Sequence, residues 1–480
     1  MFHAALLATW DWQRVRGCSH SNCAFIQWHG MVKSCKKEAA FLSAGAKNSS
    51  IYRQSHIPAV KMKLAIRRQM KDSPGFLLTT PLESKCILVA RTNIFGRVLN
   101  GVPREKTCKT YAKKTSGLFV HVEQSLKMRE KKYYDRWVEA IKESFDVVPP
   151  PAKSVTECFS TQTTLADLFL CLSPKFARYG SWTAQQFRDS LPTEAERAAF
   201  QMMVSELLFS DANCTNISIP LEINREVEIR LFQNKFCVLL NKRVDAPTGL
   251  FVRAWVVVVV PYRVTERRRL LHHSAPHYYY DSFTGNQSAA IFEKTQSLSL
   301  VVTAAGRHST LKAKSSCQPK YYAADGAHSN DTMFHAALLA TWDWQKPRGC
   351  NHSNCAFIQW HGMIRSCKKE AAFLSAGAKN SSVYLRNDVP AVKLKNAIRA
   401  QMVDAPGLLL TTPLESKCIL VARTNIFGRV LNGISRQHTC RTYARKTSGH
   451  FVHVEQSLEM RKSKYYDRWA DAVKEAFETV

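Results

Sequence analysis

The chain has 480 residues, 45% hydrophobic and 22% charged, with 68 Lys plus Arg against 38 Asp plus Glu for a net charge of +30. That balance excludes a disordered tail protein, and the length suits about three domains at ~150 residues each. The longest apolar run, 255–260, is far short of the roughly 18 to 20 residues that cross a bilayer, and Asp11 breaks the apolar start, so neither a membrane span nor a secretory leader is expected.

Residues 1–148 return as 333–480 at an offset of 332 without a gap; 33 of 148 positions differ and 115 match. Copies this alike give no evidence of selection at any shared residue. They also carry the charge: 26 basic against 11 acidic residues in the first, 22 against 11 in the second, and 20 against 16 in the rest. No fold requires that imbalance, so a positive field acting on polyanions is expected, with nucleic acid the first partner and an anionic membrane face the second.

In chain order, 22–28 reads as a strand, 35–47 as an Ala-rich helix, and 58–70 as a helix whose Lys61, Lys63, Arg67 and Arg68 make a basic surface. As a basic amphipathic helix, 58–70 is also the piece suited to peripheral membrane contact. Residues 76–80 and 118–122 read as strands, and 82–98 fits helix and strand periods equally. Leu126, Tyr133, Tyr134, Trp137, Ile141 and Phe145 fall on one stripe of a helix that Pro149–Pro151 ends. The result is an α+β, or alternatively α/β, module spanning 1–148, with its second copy at 333–480.

Between the copies, Thr193 and Glu196 form a capping box that opens a helix to Phe209, and 227–231, 236–240 and 250–260 alternate as three strands of an antiparallel meander. The expected central domain is 149–262. The stretch 263–332 has weak periodicity and many polar residues, and is expected to be a poorly ordered linker. Because the second copy starts at a Met and ends where the meander domain would begin, the repeating unit reads as basic module followed by meander domain.

Two residue groups carry candidate chemistry. The first is the basic loop 104–114, with Arg91 and Arg97 before it: Lys109, Lys113 and Lys114 offer charge to phosphates and Tyr111 a face for a base. Its counterparts are Arg423, Arg429, Arg441, Tyr443, Arg445 and Lys446. The second is Cys18, His20, Cys23, His29 and Cys35, repeated as Cys350, His352, Cys355, His361 and Cys367, from which four ligands could hold zinc. Their spacing matches no standard zinc finger, and the competing expectation is buried thiols and surface histidines. Fifteen cysteines without an export signal imply a reducing compartment, nucleus or cytoplasm.

Cys35-Lys36-Lys37-Glu38, followed by 79–86 with Pro81 and Cys86, resembles in element order the cytidine and dCMP deaminases over about 22–97. The resemblance implies a zinc held by His and two Cys with a Glu moving the proton. Lys36 stands where that family has His, only Cys86 matches its later cysteine pair, and the one His-x-Glu, His121-Val122-Glu123, comes after these elements. No other catalytic signature is present, and no catalytic residue is assigned. The leading expectation is a nucleic-acid-binding protein gripping phosphates through two modules. A deaminase-like zinc enzyme or degenerate scaffold comes next, followed by an interaction protein working through its centre.

Overall fold

The computed structural model describes residues 6–7, 9–11, 13, 23–31, 35, 37–45, 49–70, 75–84, 86, 88–112, 115–145, 153–209, 214–278, 280–363, 367, 369–378, 381–405, 407–418 and 420–479. The chain divides into two compact units, Met1–Pro151 and Ala152–Val480. Both mix helices with mixed sheets, as an α+β chain should.

Unit 1 is a four-stranded sheet in the order β1 (Phe25–Gly30), β4 (Phe119–Gln124), β2 (Ala40–Ser43), β3 (Leu78–Thr79). β1 and β4 are parallel, β4 and β2 antiparallel, β2 and β3 parallel. Helices α1 (Pro58–Gln69) and α3 (Tyr134–Ser144) lay Ala59, Met62, Ile66 and Trp137 over one face, and the short α2 (Ile94–Leu99) sits beside Phe119 on the other. Pro58 opens α1 at a position where a missing N–H costs nothing. The stretch read as an Ala-rich helix is corrected: 40–43 is a strand. All four residues are buried, and a short apolar run covered on both faces has no alternation to reveal it.

Unit 2 contains α4 (Val155–Thr161), α5 (Leu165–Leu172), α6 (Ala184–Ser190), α7 (Glu194–Phe209), α8 (Thr284–Thr295), α9 (Met333–Gln345), α10 (Pro390–Ala400), α11 (Ile426–Leu431) and α12 (Tyr466–Ala476). Its nine strands are β5 (Val227–Phe232), β6 (Phe236–Asn241), β7 (Val256–Pro261), β8 (Arg269–Ala275), β9 (Ser297–Thr303), β10 (Cys355–Gly362), β11 (Glu370–Ser375), β12 (Leu409–Thr411) and β13 (Phe451–Gln456). They form one sheet in the order β12-β11-β13-β10-β8-β9-β7-β6-β5. The capping box of α7 forms, with Thr193 N donating to Glu196 at 2.7 Å and Glu196 N to the Thr193 hydroxyl at 3.2 Å. The meander β5-β6-β7 is antiparallel throughout. β7 alternates its valines between two cores, Val256, Val258 and Val260 on one face and Val257 and Val259 on the other, so helices cover both sides.

The linker expected over 263–332 is corrected. That stretch holds β8, α8 and β9, and β8 is the bridge that joins the meander to the second copy: β9 and β10 both pair with it in parallel. The copy at 333–480 is therefore continuous with the segment before it. Its strand order and registers repeat those of unit 1, residue for residue at the same offset, for β10 with β13 and β11 with β13.

Among the described residues, no helix is long and apolar enough to cross a membrane. The expectation of free thiols is corrected as well. Disulfides join Cys35 to Cys86, Cys158 to Cys171, Cys214 to Cys237, Cys317 to Cys440, Cys350 to Cys355 and Cys367 to Cys418, and Cys23 is also disulfide-bonded. Among the described cysteines, Cys108 is free and exposed.

Candidate metal centre

From β8 the chain crosses to β9 on one side and then, through β9, to β10 on the other, so the carboxyl ends of these parallel strands form a topological switch point, where α/β sheets leave a crevice. Functional side chains collect there. His277 follows β8, Asp281 lies one turn further on, His361 ends β10, and His453 and Glu455 share one face of β13 because they are two residues apart on a strand.

His277, Asp281 and His361 form a three-atom face. Asp281 Oδ2 is 3.0 Å from His277 Nδ1 and 3.5 Å from His361 Nδ1, and the two nitrogens are 3.2 Å apart. Three ligands roughly 2.0–2.1 Å from a tetrahedral zinc stand about 3.3–3.4 Å from one another, so the face has the right size. Orientation agrees with size. His277 Nε2 lies 2.9 Å from Asp325 Oδ1 and 2.7 Å from Arg307 Nη2, and His361 Nε2 lies 2.9 Å from Gln359 Oε1. The tautomer in which Asp325 and Gln359 accept from the two Nε2–H groups leaves both Nδ1 lone pairs for a metal beside Asp281, the way outer partners orient a metal-binding histidine. Asn425 in turn donates to Gln359.

Charge in this site is concentrated and buried. Burial and the nearby Arg307 pull the His277 pKa down, but Asp325 and Asp281 on either side more than offset them and the net shift is upward. Burial opposes ionisation of Asp281, yet His277, His361 and Arg307 hold it well below the usual carboxylate range. Asp325 is held low by His277 and Arg307 against the same penalty, and Arg307 Nε lies 3.1 Å from its Oδ2. His361 is pushed down to about 4 by burial, which suits a neutral ligand.

Beside this face, the His361 and His453 rings lie 4.2 Å apart, and His453 Nε2 is 3.6 Å from Glu455 Oε1. Burial and the Asp281 charge push Glu455 well above its ordinary value despite Arg307 and Arg461, and its Oε2 is buried with no hydrogen-bond partner. A carboxyl so placed holds a proton more readily than an exposed one, a property that proton-transferring carboxyls share.

Of the residues singled out from sequence, His361 stands in this centre and His29 in a smaller cluster with His121 and Glu123 in unit 1. Cys18, His20, Lys113 and Lys114 lie outside the described residues. Cys350 with Cys355, Cys367 with Cys418 and Cys35 with Cys86 have their sulfurs in disulfides, as does Cys23, so the expected cysteine–zinc set does not assemble. The Cys35–Cys86 bond also removes the two sulfurs on which the deaminase resemblance rested. His352 is held by Ser448 O at 2.8 Å and Asp388 at 3.3 Å.

Several of the residues expected to meet nucleic acid are engaged within the fold. Arg97 and Arg429 are buried; each donates to backbone carbonyls, Arg97 to Arg91 and Thr107, Arg429 to Arg423 and Thr439. The Tyr111 ring is covered by Arg91 and Arg97 at 5.0 and 4.3 Å, and Tyr443 by Arg423 and Arg429 at 4.7 and 4.5 Å, so those tyrosine faces already have cations stacked on them. Lys109, Arg441, Arg445 and Lys446 remain exposed.

Sequence reasoning missed His277, Asp281, Arg307 and Asp325, all in the stretch taken for a linker. The available signal was His277 and Asp281 four residues apart, just after an apolar run that can be read as a strand. His453-Val454-Glu455 was visible through its copy His121-Val122-Glu123.

No family description and no curated protein matches the chain. Solved structures with some likeness include a bacteriophage poly-gamma-glutamate hydrolase, at 16% identity over 46% of this chain and 88% of that one, with a TM-score of 0.27. A succinylglutamate desuccinalase from Vibrio parahaemolyticus gives 9% identity over 58% and 82%, TM-score 0.26. A metallo-carboxypeptidase from Burkholderia cenocepacia gives 10% identity over 59% and 68%, TM-score 0.23. All three are named as enzymes, and scores of this size carry no argument about reaction or substrate. The expectation of a nucleic-acid-binding protein is corrected: the arginine–tyrosine loops that carried it are folded onto themselves, with buried Arg97 and Arg429 stacked on Tyr111 and Tyr443.

Proposed function

We propose that unit 2 is a metal-dependent hydrolase of amide or ester bonds, with zinc held by His277 Nδ1, Asp281 and His361 Nδ1. The observation that carries this reading is the three-atom face with edges of 3.0, 3.2 and 3.5 Å, with an acceptor oxygen 2.9 Å from each Nε2. A zinc ion with three protein ligands keeps a position open and supplies Lewis acidity and a water of lowered pKa. Glu455 would be the residue that accepts a proton on Oε2 and passes it to the leaving group, the role its raised affinity for a proton favours. Asp325 and Gln359 keep the two imidazoles turned, and Arg307 holds Asp325 ionised. The disulfides favour an oxidising compartment, in place of the nucleus or cytoplasm.

Metal analysis of the purified chain, together with hydrolysis assays on a panel of acyl-amino-acid amides and esters, tests the reading. One zinc per chain is expected, lost in Asp281→Asn and His361→Ala, with hydrolysis abolished by chelator. A chain that refolds with intact disulfides yet binds no zinc would reject the centre.

A further inference from the structure

Unit 1 is built like residues 333–480 of unit 2, but it lacks what covers them. In unit 2, β10 pairs with β8, so Trp360 is 0% exposed; its counterpart Trp28, on the edge strand β1, is 43% exposed. Ile426 is 0% exposed where its backbone meets Ala327, while Ile94 is 41% exposed. Helix α8 lies across Trp469 and Met460, with Gln287 donating to Met460 O at 3.0 Å. The same place in unit 1 is an apolar groove lined by Trp28, Met128, Tyr134, Trp137 and Ile141. Thr424 accepts from Gln318 at 2.8 Å and pairs with Tyr321 at 3.0 Å, while Thr92 lines an open pocket with His29, His121 and Glu123. Cys440 is bonded to Cys317, while Cys108 is a free, exposed thiol.

Every one of these differences falls where 152–332 touches 333–480. We propose that unit 1 is half of a second domain of the unit 2 kind, and that its open face binds a further polypeptide segment of the 152–332 type. That segment would add a strand to β1, lay a helix in the Trp28–Trp137 groove, and bring its own His277 and Asp281 to His29, completing a second metal centre. In unit 1, His29, His121 and Glu123 already lie close enough together to share a metal ion. The metal part rests on the function proposed above; the docking part does not. Docking also aligns the Cys108 thiol with the segment's Cys317 thiol. The pair becomes a disulfide by giving two electrons and two protons to a low-molecular-weight disulfide such as oxidised glutathione, which leaves as two thiols. The repeating unit is thus a 152–332 segment followed by a basic module, the reverse of the order expected from sequence.

The test extends the full chain by placing a second copy of 152–332 directly before Met1, the junction found at Thr332–Met333, and oxidises both forms with glutathione. In the 480-residue chain, Cys108 is alkylated and zinc is one per chain. In the extended chain, Cys108 is expected to resist alkylation and to appear in a peptide linked to Cys317, with Cys317–Cys440 retained. Zinc is expected to double, and the 25–30 amides to exchange more slowly. Changing the added His277→Ala and Asp281→Asn should remove the second zinc and leave Cys108 protected. Cys108 still alkylated and the 25–30 amides unchanged would overturn the docking. Protection with no zinc in either chain would keep the docking and overturn the metal centre together with the function proposed above.

Discussion

At the scale of the residue, the centre asks different things of neighbours that look alike. Glu455 stands with His361 and His453 beside the His277–Asp281–His361 face, so Glu455→Gln should leave zinc at one per chain while lowering kcat by about 10²–10⁴, the usual worth of a positioned proton carrier. Loss of zinc in that variant would make Glu455 a ligand instead. Histidines outside the centre have a separate consequence. Burial holds His272 and His335 at about 4 and His273 at about 3, with the His272 charge adding at His273 and Arg436 and Arg197 at His335. The folded chain keeps them neutral while the unfolded chain takes up protons from about pH 6.5 downward. Stability present above that pH is therefore lost as pH falls toward 4, by up to ~1.4 kcal/mol per pH unit for each group. Urea midpoints at pH 7 and pH 5 read this directly, and equal midpoints would contradict it. Single residues were only partly legible beforehand: His361 was found in the wrong company, because five Cys and His within eighteen residues look like ligands until disulfides pair the sulfurs.

At the scale of the element, a strand or helix was legible where one face alone is buried. The α7 capping box and the β5 alternation could be read, since each leaves a polar face in sequence. β2, β8 and β9 could not: 40–43 and 297–303 are buried at every position, and His272, His273 and Ser274 in β8 are polar residues inside a core, satisfied by Ser299, Ser297 and Gln359 at 2.7, 2.9 and 3.3 Å. Polar composition was taken for disorder, when the hydrogen bonds that pay for its burial lay on other strands. The turn from β8 into α8 shows how tightly such elements set the centre. Tyr278, next to His277, is fixed by hydrogen bonds to Phe169 O and Asn286 and by an edge contact with Phe176, and its ring lies where a Cβ on Gly285 would go. Gly285→Ala should therefore cost about 1–3 kcal/mol by overpacking and, by moving Tyr278, weaken zinc binding roughly tenfold. Wild-type affinity in a folded Gly285→Ala chain would show that the turn does not position His277.

At the scale of the whole molecule, the repeat in the sequence showed two similar stretches and not the segment that packs on the second. Charge was legible and pointed to a polyanion, but net charge says nothing about which segment completes a sheet, and that depends on β8 reaching β10 across more than eighty residues of sequence. The same long reach sets the last prediction. Cys317–Cys440 spans 123 residues and ties the 152–332 segment to the module it covers, whereas Cys350–Cys355 spans five. If a cross-link acts mainly by restricting the unfolded chain, the longer loop is worth more, typically about 2–4 kcal/mol. Replacing both Cys317 and Cys440 by Ser should lower the urea midpoint of unit 2 well beyond the loss from replacing Cys350 and Cys355. It should also loosen the contact of Gln318 and Tyr321 with Thr424, seen as faster exchange at the Ile426 amide, which donates to Ala327 O. Equal losses from the two pairs would mean that the segment and the module hold together by β8–β10 pairing and the shared core alone, with the long disulfide only recording a contact already made.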